Sequence, residues 1–414
     1  MKICVIRPIR VLFATQPIKL RKLRDTTKNE VLMKRDMVIL GAGLAGSSLA
    51  KVLSELGWGV VLLERRNFPH HKVCGEFLSP ESQASLRALG LYRAVETLGP
   101  APIVQAKLVS RTGITTQIPL PGQAWGVSRF TLDAALATAA ERSGTELRTG
   151  STVTSVTQVE GGFEVELRSK NGPAVITARA VIAACGRYSL PDLPPRSTPD
   201  QRQTYVGVKC HYENVSMPAQ VELFFFPGGY AGVNPIEGGQ VNLCLLATQA
   251  TFAQSSRRVS SMLEMAAHWN PALGCRLSGG RPLPETEVAV APVDTNRPAT
   301  PWDGMACLGD AAVMIPPLCG DGMAMALRSA ELCAPLAHDF LRSRLSLAEW
   351  GVVYQTSWHA EFDKRVRIGH YLQTILSMPA LSDAFIGLGR LAPSLAAALV
   401  RATRGTQSRI LATG

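Results

Sequence analysis

Hydrophobic residues change their spacing twice between residues 36 and 64. Residues 37–40 form a short apolar run, which is typical of a strand buried on both faces. Apolar residues then recur at helical spacing over residues 47–56, and Gly57 follows where a helix should end. A second apolar run covers residues 60–63. The pattern predicts one strand–helix–strand unit.

The turn between the first strand and the helix has the spacing Gly-x-Gly-x-x-Gly. The first glycine permits a tight turn, the second leaves room for a pyrophosphate, and the third lets helix and strand pack closely. A carboxylate at the end of the second strand can accept both hydroxyls of an adenosine ribose. The alternative is a glycine-rich turn in some other α/β protein. The predicted dinucleotide site comprises Gly41, Gly43, Leu44, Ala45, Gly46 and Glu64.

A second glycine-rich stretch lies far along the chain. Residues 305–308 are apolar and are followed by Gly309 and Asp310, which predicts a buried strand ending in Gly-Asp. Gly320, Asp321 and Gly322 then precede a long helical pattern. The amide groups at such a helix start favour negative charge nearby.

Two arginines and one loop are further candidates for cofactor contact. Arg65 follows the second strand, where it can lie over an adenine or remain a solvated surface residue. Arg129 precedes a predicted helix, where it can reach a phosphate or ribitol or form a salt bridge. Cys74 and Gly75 occupy a polar loop, and a buried inert thiol is the alternative to a redox role for the cysteine.

Taken together, the two glycine stretches resemble the superfamily of FAD-dependent hydroxylases of the para-hydroxybenzoate hydroxylase type and geranylgeranyl reductases. The resemblance runs from about residue 36 to the C-terminus, and it implies FAD as the cofactor. It implies that Asp310 binds a ribitol hydroxyl and that Gly320, Asp321 and Gly322 lie at the flavin edge. The segment Lys-Val-Cys74-Gly75-Glu resembles the reductase loop that approaches the isoalloxazine ring.

Three departures from family patterns bear on the reaction. Cys185 replaces the aspartate of the hydroxylase Asp-Gly-x-x-Ser segment, and no Trp-x-Trp pair marks a halogenase. The stretch Tyr230-Ala-Gly-Val-Asn-Pro235 keeps the Tyr and Pro of the reductase motif Tyr-x-Trp-x-Phe-Pro but lacks both bulky aromatics. The first departure argues against a role of that segment in nicotinamide binding. The missing Trp pair disfavours halogenation, and the missing aromatics favour hydroxylation over prenyl reduction.

We therefore predict an α/β fold with a Rossmann-type FAD-binding domain, an inserted β-rich substrate domain and a helical C-terminal tail. Residues 1–35 form a basic, disordered extension; 36–100, 127–203 and 296–345 form the FAD-binding domain; 101–126 and 204–295 form the substrate domain; and 346–414 form the helical C-terminal region.

The expected function is oxidation or reduction of an apolar small molecule. The first choice is NAD(P)H-dependent hydroxylation or epoxidation, and the competing reaction is reduction of prenyl double bonds. A non-catalytic flavin-binding partner subunit is a third hypothesis. No acid–base pair, metal site or oligomeric state can be assigned from the sequence.

Composition and charge add limits on partners and location. The chain has 414 residues and a net charge of +11, and residues 1–35 hold ten Lys or Arg against two acids. This local excess does not indicate a nucleic-acid partner. Nine scattered cysteines without a C-x-x-C pair fit reduced thiols in a cytoplasm, with peripheral membrane contact as an alternative.

Overall fold

The computed structural model describes residues 33–187, 204–392 and 398. Its strands are short to medium in length and fall into two sheets. In chain order they are β1 (Met33–Leu40), β2 (Val60–Leu63), β3 (Phe77–Leu78), β4 (Ala101–Val109), β5 (Thr115–Gly126), β6 (Glu146–Arg148), β7 (Thr152–Val159), β8 (Gly162–Ser169), β9 (Gly172–Ala183), β10 (Tyr205–Glu213), β11 (Gln220–Phe226), β12 (Gly229–Pro235), β13 (Val241–Thr248), β14 (Arg281–Val293) and β15 (Ala306–Cys307).

The helices cover both sheets and dominate the C-terminal third of the chain. They are α1 (Leu44–Glu55), α2 (Ser82–Ala88), α3 (Tyr92–Glu96), α4 (Arg129–Arg142), α5 (Gln249–Gln254), α6 (Val259–Trp269), α7 (Pro271–Leu277), α8 (Gly322–Leu341), α9 (Leu347–Ser377) and α10 (Pro379–Leu391). In this described part of the chain, no helix has the length and apolar character needed to cross a membrane.

The first sheet has a parallel centre and an antiparallel flank. Strands β6, β2, β1 and β9 lie side by side and parallel, and β15 adds to β9. Strands β7 and β8 extend the sheet from β9 in antiparallel pairs. Because residues 37–40 of β1 and all of β2 are buried on both faces, they are continuous apolar runs rather than alternating ones. Helices α1, α4 and α8 pack together over this sheet.

The second sheet is mainly antiparallel and has two different faces. Its strand order is β14-β10-β13-β12-β11-β4-β5-β3. One face forms a core with α6 and α7, which contains Phe224 and Phe226. The opposite face, which carries Phe225 and Tyr230, meets the end of α9 and α10. Thr116 Oγ1 of β5 donates a hydrogen bond of 2.6 Å to the carbonyl of Ile386 in α10.

The architecture confirms the predicted fold class and refines one limit. A Rossmann-type parallel sheet, a β-rich second sheet and a helical C-terminal region are all present. The extension was predicted to reach residue 35, but β1 starts at Met33 and pairs with β9 from Ile176 onward, so residues 33–35 belong to the sheet. Strand β3 belongs to the second sheet, although residues 36–100 were assigned to the FAD-binding domain. Residues 189–203, whose many Pro, Ser and Asp residues predict a linker, lie outside the described residues.

Removal of residues 1–32 should leave FAD content and thermal stability unchanged. Those residues hold eight Lys or Arg against two acids, and a segment with such one-sided charge is expected to stay outside the core. The cut stops before the first residue of β1, so the ladder with β9 is retained. Bound flavin absorbance and the thermal unfolding midpoint measure the effect. A midpoint lowered by several degrees would show that the extension is docked on the fold.

Candidate functional site

A cavity of about 950 Å³ lies between the two sheets and the start of α8. One end is polar and contains the glycine turn after β1, while the other end is apolar and reaches α10. Thirteen of the fifteen predicted cofactor residues line it: Gly41, Gly43, Leu44, Ala45, Glu64, Arg65, Cys74, Gly75, Arg129, Gly309, Asp310, Gly320 and Gly322. Gly46 and Asp321 do not line the cavity.

The glycine turn is shaped by contacts that a side chain would prevent. Gly41 has a φ of +102°, and a Cβ there would lie 2.5 Å from the Ala184 carbonyl oxygen. A Cβ on Gly46 would lie 1.9 Å from the Gly41 carbonyl oxygen, so this glycine allows helix and turn to touch. A Cβ on Gly43 would meet only Arg129 Nη2, at 3.7 Å. Space is therefore left open at the N-terminus of α1, where a phosphate would be favoured.

Glu64 ends β2 and is buried beside the same turn. Its Oε2 accepts a hydrogen bond from the Ala42 N–H at 3.1 Å, and its Oε1 accepts one from the Arg66 N–H at 3.1 Å. An ionised carboxylate has about four acceptor positions, so these two bonds leave capacity for further donors. The position fits the predicted role of Glu64 as an acceptor for ribose hydroxyls.

The second glycine stretch joins β15 to α8 along the same cavity. Gly309 has a φ of +56° and its N–H donates to Ser329 Oγ of α8 at 3.0 Å. Burial raises the pKa of the neighbouring Asp310, against the opposing charges of Arg129 and Arg297. Gly320 has a φ of +69° and lies against the Phe77 ring. The first turn of α8 therefore directs its amide groups toward the cavity.

Arg129 both forms a salt bridge and faces the glycine turn, so its two predicted roles are compatible. Its Nε and Nη2 donate to the carboxylate of Asp133 at 2.7 and 2.8 Å. Lys72 Nζ contacts the same carboxylate at 2.8 Å. Although burial opposes ionisation of Asp133, Arg129 and Lys72 lower the pKa of Asp133 to about 2. This group of two cations and one anion leaves positive charge next to Gly43.

A second buried ionic cluster lies directly behind the Cys74–Gly75 loop. Glu76, Lys209 and His211 are each at most 2% exposed. Glu76 Oε1 forms an ion pair with Lys209 Nζ and accepts from the Arg129 N–H at 2.8 Å, while Oε2 bonds His211 Nε2 at 2.7 Å. Glu76 has a φ of +54°, a conformation that a non-glycine residue holds only when its surroundings fix it.

The same loop is fixed by two asparagines from the second sheet. Asn242 Nδ2 donates to the carbonyls of Cys74 and Gly75 at 3.2 and 2.9 Å, and Asn234 Nδ2 donates to the Glu76 carbonyl at 3.4 Å. Burial raises the pKa of the Cys74 thiol, although Arg129 opposes this shift. Cys74 therefore carries its proton at neutral pH and faces the cavity.

The far end of the cavity is apolar and lies between the second sheet and the C-terminal helices. Tyr230 lies in this wall, and its buried hydroxyl has no hydrogen-bond partner among the described residues. Burial raises the pKa of Tyr230 well above its usual range. Most of the other lining side chains here are aliphatic or aromatic, including Leu108, Ile118, Leu223, Leu318, Leu376 and Phe385. We call this end the apolar chamber.

Sequence reasoning did not identify Glu76, Lys209, His211 or His71 as parts of one site. His71 lies in the loop after β2 and lines the cavity, and its ring lies edge-on to His211 at 5.3 Å. Burial, followed by the charges of Lys209 and His211, lowers the pKa of His71 to about 4. A signal was present in β10, where Lys209 and His211 point to the same side of an otherwise apolar strand.

Comparison with known proteins agrees with this geometry. The family described as FAD binding domain matches residues 34–340. Digeranylgeranylglycerophospholipid reductase 2 of Methanopyrus kandleri is 26% identical over 341 residues, covering 80% of this chain and 84% of the relative. Menaquinone reductase of Mycolicibacterium smegmatis is 24% identical over 364 residues, covering 84% and 85%. The solved flavin-dependent brominase Bmp2 shares the fold, with a TM-score of 0.76 and 17% identity over 90% of this chain and 93% of the brominase.

The chain belongs to the FAD-binding-domain family of flavoproteins, within the superfamily of hydroxylases and geranylgeranyl reductases. It is an FAD-dependent oxidoreductase. Two observations in the structure are compatible with bound FAD. Space is open in front of Gly43, and the Glu64 carboxylate can accept further hydrogen bonds. The assignment of individual residues to parts of the cofactor remains a prediction.

Proposed function

We propose that this enzyme reduces carbon–carbon double bonds in an isoprenoid chain carried by a lipid or a quinone. The apolar chamber supports an isoprenoid substrate, because it continues directly from the residues that fit FAD and is walled mainly by hydrocarbon. The two relatives described above, which align over four-fifths of the chain, are reductases named for a prenylated phospholipid and for menaquinone. We therefore place prenyl reduction ahead of hydroxylation, which the sequence patterns favoured.

The chemistry requires a hydride at one alkene carbon and a proton at the other. Bound FAD supplies the hydride once it has been reduced, with NAD(P)H as the proposed donor. The residues that would hold FAD are the glycine turn, Glu64, Arg129 and Asp310. Cys74 and Tyr230 are the proposed proton sources, because both face the cavity and burial keeps both in the protonated form.

The experiment is product analysis with and without oxygen. Purified holoenzyme is mixed with NADH or NADPH and with either a geranylgeranylated phospholipid or menaquinone. The expected product is heavier by two hydrogen atoms, one added as hydride and one as a proton. It forms equally well in anaerobic solution. We expect Cys74→Ser or Tyr230→Phe to retain FAD, and loss of the true proton donor to slow the reaction roughly 100-fold. If both variants retain the full rate, the proposed proton sources are wrong.

Monooxygenation is the competing function, and the shared fold of the brominase is compatible with oxygen chemistry. A monooxygenase must admit oxygen to the flavin and then exclude water from it. The walls of the apolar chamber suit water exclusion as well as they suit an isoprenoid chain. Oxygen consumption in step with substrate, with a product heavier by one oxygen atom, would establish this reaction in place of reduction.

A further inference from the structure

Exposed hydrophobic side chains are concentrated at one place on the described surface. Nine exposed large hydrophobic residues occur among the residues whose burial the structure describes, and five of them fall within 371–391, so the exposure is clustered rather than scattered. Isolated surface hydrophobics are ordinary, but a contiguous group marks an interaction site. We call this group the C-terminal patch: Tyr371, Met378, Leu381, Leu388 and Leu391.

Helix α10 is apolar on its buried side and on the exposed side next to it. Phe385 and Ile386 face inward and pack against the second sheet. Leu381, Leu388 and Leu391 recur at helical spacing on the outer side and are 47%, 52% and 83% exposed. A surface helix of a globular protein normally has a polar outer face, so this outer stripe is unusual.

The C-terminal patch borders the apolar chamber. Leu388 is part of the exposed stripe and also lines the cavity, together with Gly389 and Ala392. Leu372 and Leu376 of α9 line the same chamber and lie one and two residues in sequence from Tyr371 and Met378. Apolar surface is thus continuous from the outside of α10 to the inside of the cavity.

Charge at this end of the chain is strongly one-sided. Residues 364–414 contain seven Lys or Arg and a single acidic residue, Asp383. Residues 36–363 contain 26 Lys or Arg and 29 Asp or Glu. Lys364, Arg367 and Arg390 are exposed on α9 and α10 beside the patch. A basic segment next to an exposed apolar stripe is the combination that binds an anionic lipid surface.

We propose that the C-terminal patch docks on an anionic lipid bilayer and that the chamber receives its substrate from there. Delivery of a lipid substrate rests on the proposed function. Docking on the bilayer depends only on the patch and its charges. The stripe of α10 would lie in the bilayer interface with Arg390 at the level of the head groups.

Two other occupants of the patch fit the charges less well. A second copy of the chain, related by a two-fold axis, would bring Arg390 and its basic neighbours against the same basic surface. Residues 393–414 of the same chain carry Arg401, Arg404 and Arg409 and no acid, so they would add positive charge to a positive surface. An anionic bilayer is the partner whose charge is complementary.

The test is sedimentation of the full-length holoenzyme with vesicles, followed by flavin absorbance. Vesicles of phosphatidylcholine alone are compared with vesicles that also contain phosphatidylglycerol. The test variant is Leu381→Glu with Leu391→Glu, because neither residue lines the cavity. The matched control is Val352→Glu with Val353→Glu, at two exposed positions near the start of α9.

We expect wild-type protein to bind the anionic vesicles about tenfold better than neutral ones, and the test variant to lose this binding while the control keeps it. Both variants should retain FAD and the wild-type melting temperature. Wild-type protein that stays in solution, or that binds both vesicle types equally, would overturn the proposal, as would equal losses in the two variants. A concentration-dependent dimer that the test variant dissociates would assign the patch to a second copy instead. Reduction of detergent-dispersed substrate by the test variant tests the proposed function separately.

Discussion

Gly43→Val should fold normally and lose FAD. In the structure a Cβ at this position would have Arg129 Nη2 as its nearest neighbour at 3.7 Å, an ordinary contact distance. The cofactor-free fold therefore has room for the start of a side chain. A pyrophosphate placed at the N-terminus of α1 would compete with the valine methyl groups for the same volume. We expect FAD binding to weaken by more than about 100-fold.

Two other glycines provide contrasting controls. Gly46→Ala would place a Cβ 1.9 Å from the Gly41 carbonyl oxygen, so this variant should fail to fold rather than fold without cofactor. A Cβ on Gly387 in α10 meets nothing within 4 Å, so Gly387→Val should keep both fold and flavin. The flavin-to-protein absorbance ratio and the far-UV circular dichroism spectrum separate these outcomes. Gly43→Val protein that purifies with wild-type flavin content would show that the pyrophosphate does not approach this glycine.

The glycine turn could be predicted because its determinants are local. Strand, turn, helix and second strand follow within 30 residues, and each glycine has a steric reason that depends on its immediate neighbours. The parallel pairing of β1 with β2 and the position of Glu64 beside Ala42 follow from the same unit. The second glycine stretch could be placed only through its resemblance to a family, since β15 has two residues and a weak pattern of its own.

The cluster around Glu76 could not be predicted because its members are distant in sequence. Glu76 is separated from Lys209 by 133 positions, and their contact depends on how the second sheet packs behind the Cys74–Gly75 loop. Alternation in β10 indicates that Lys209 and His211 share a side, but it does not reveal that this side is buried. A single sequence carries no signal for that packing.

Glu76→Gln should be strongly destabilising, because it removes the counter-ion of a fully buried lysine. Removing one member of a buried ion pair leaves the other charge without compensation, at a cost of about 3–5 kcal/mol. The substitution keeps the size of the side chain, so the effect reports charge rather than volume. Lys209→Met in the same protein should recover much of the loss, because a neutral pair needs no counter-charge. Glu213→Gln, which breaks an exposed pair with Arg281, is the matched control and should have little effect.

The contribution of Glu76 should also depend on pH in a defined direction. Burial opposes ionisation of Glu76, but the hydrogen bond from His211 and the charge of Lys209 outweigh it and lower the pKa below the ordinary value of 4.5. A carboxyl whose pKa is lower in the folded state stabilises the protein above its unfolded pKa and loses that effect as the pH falls through the folded value. The stability gap between wild type and Glu76→Gln should therefore be constant from pH 7 to about pH 5 and shrink below pH 4.5.

Urea unfolding followed by tryptophan fluorescence at several pH values measures the difference in unfolding free energy between wild type and Glu76→Gln. Flavin titration of the folded variant measures its affinity for FAD. Glu76 fixes the turn that presents Cys74 and Gly75 to the cavity. Its Oε1 also accepts a hydrogen bond from the backbone N–H of Arg129, the first residue of α4. Loss of the carboxylate should therefore weaken FAD binding as well as the fold, whereas the Glu213 control should change neither. A Glu76→Gln protein with wild-type stability at pH 7 would mean that Lys209 is neutral or hydrated in the folded enzyme, and the buried pair would not be what holds the loop in place.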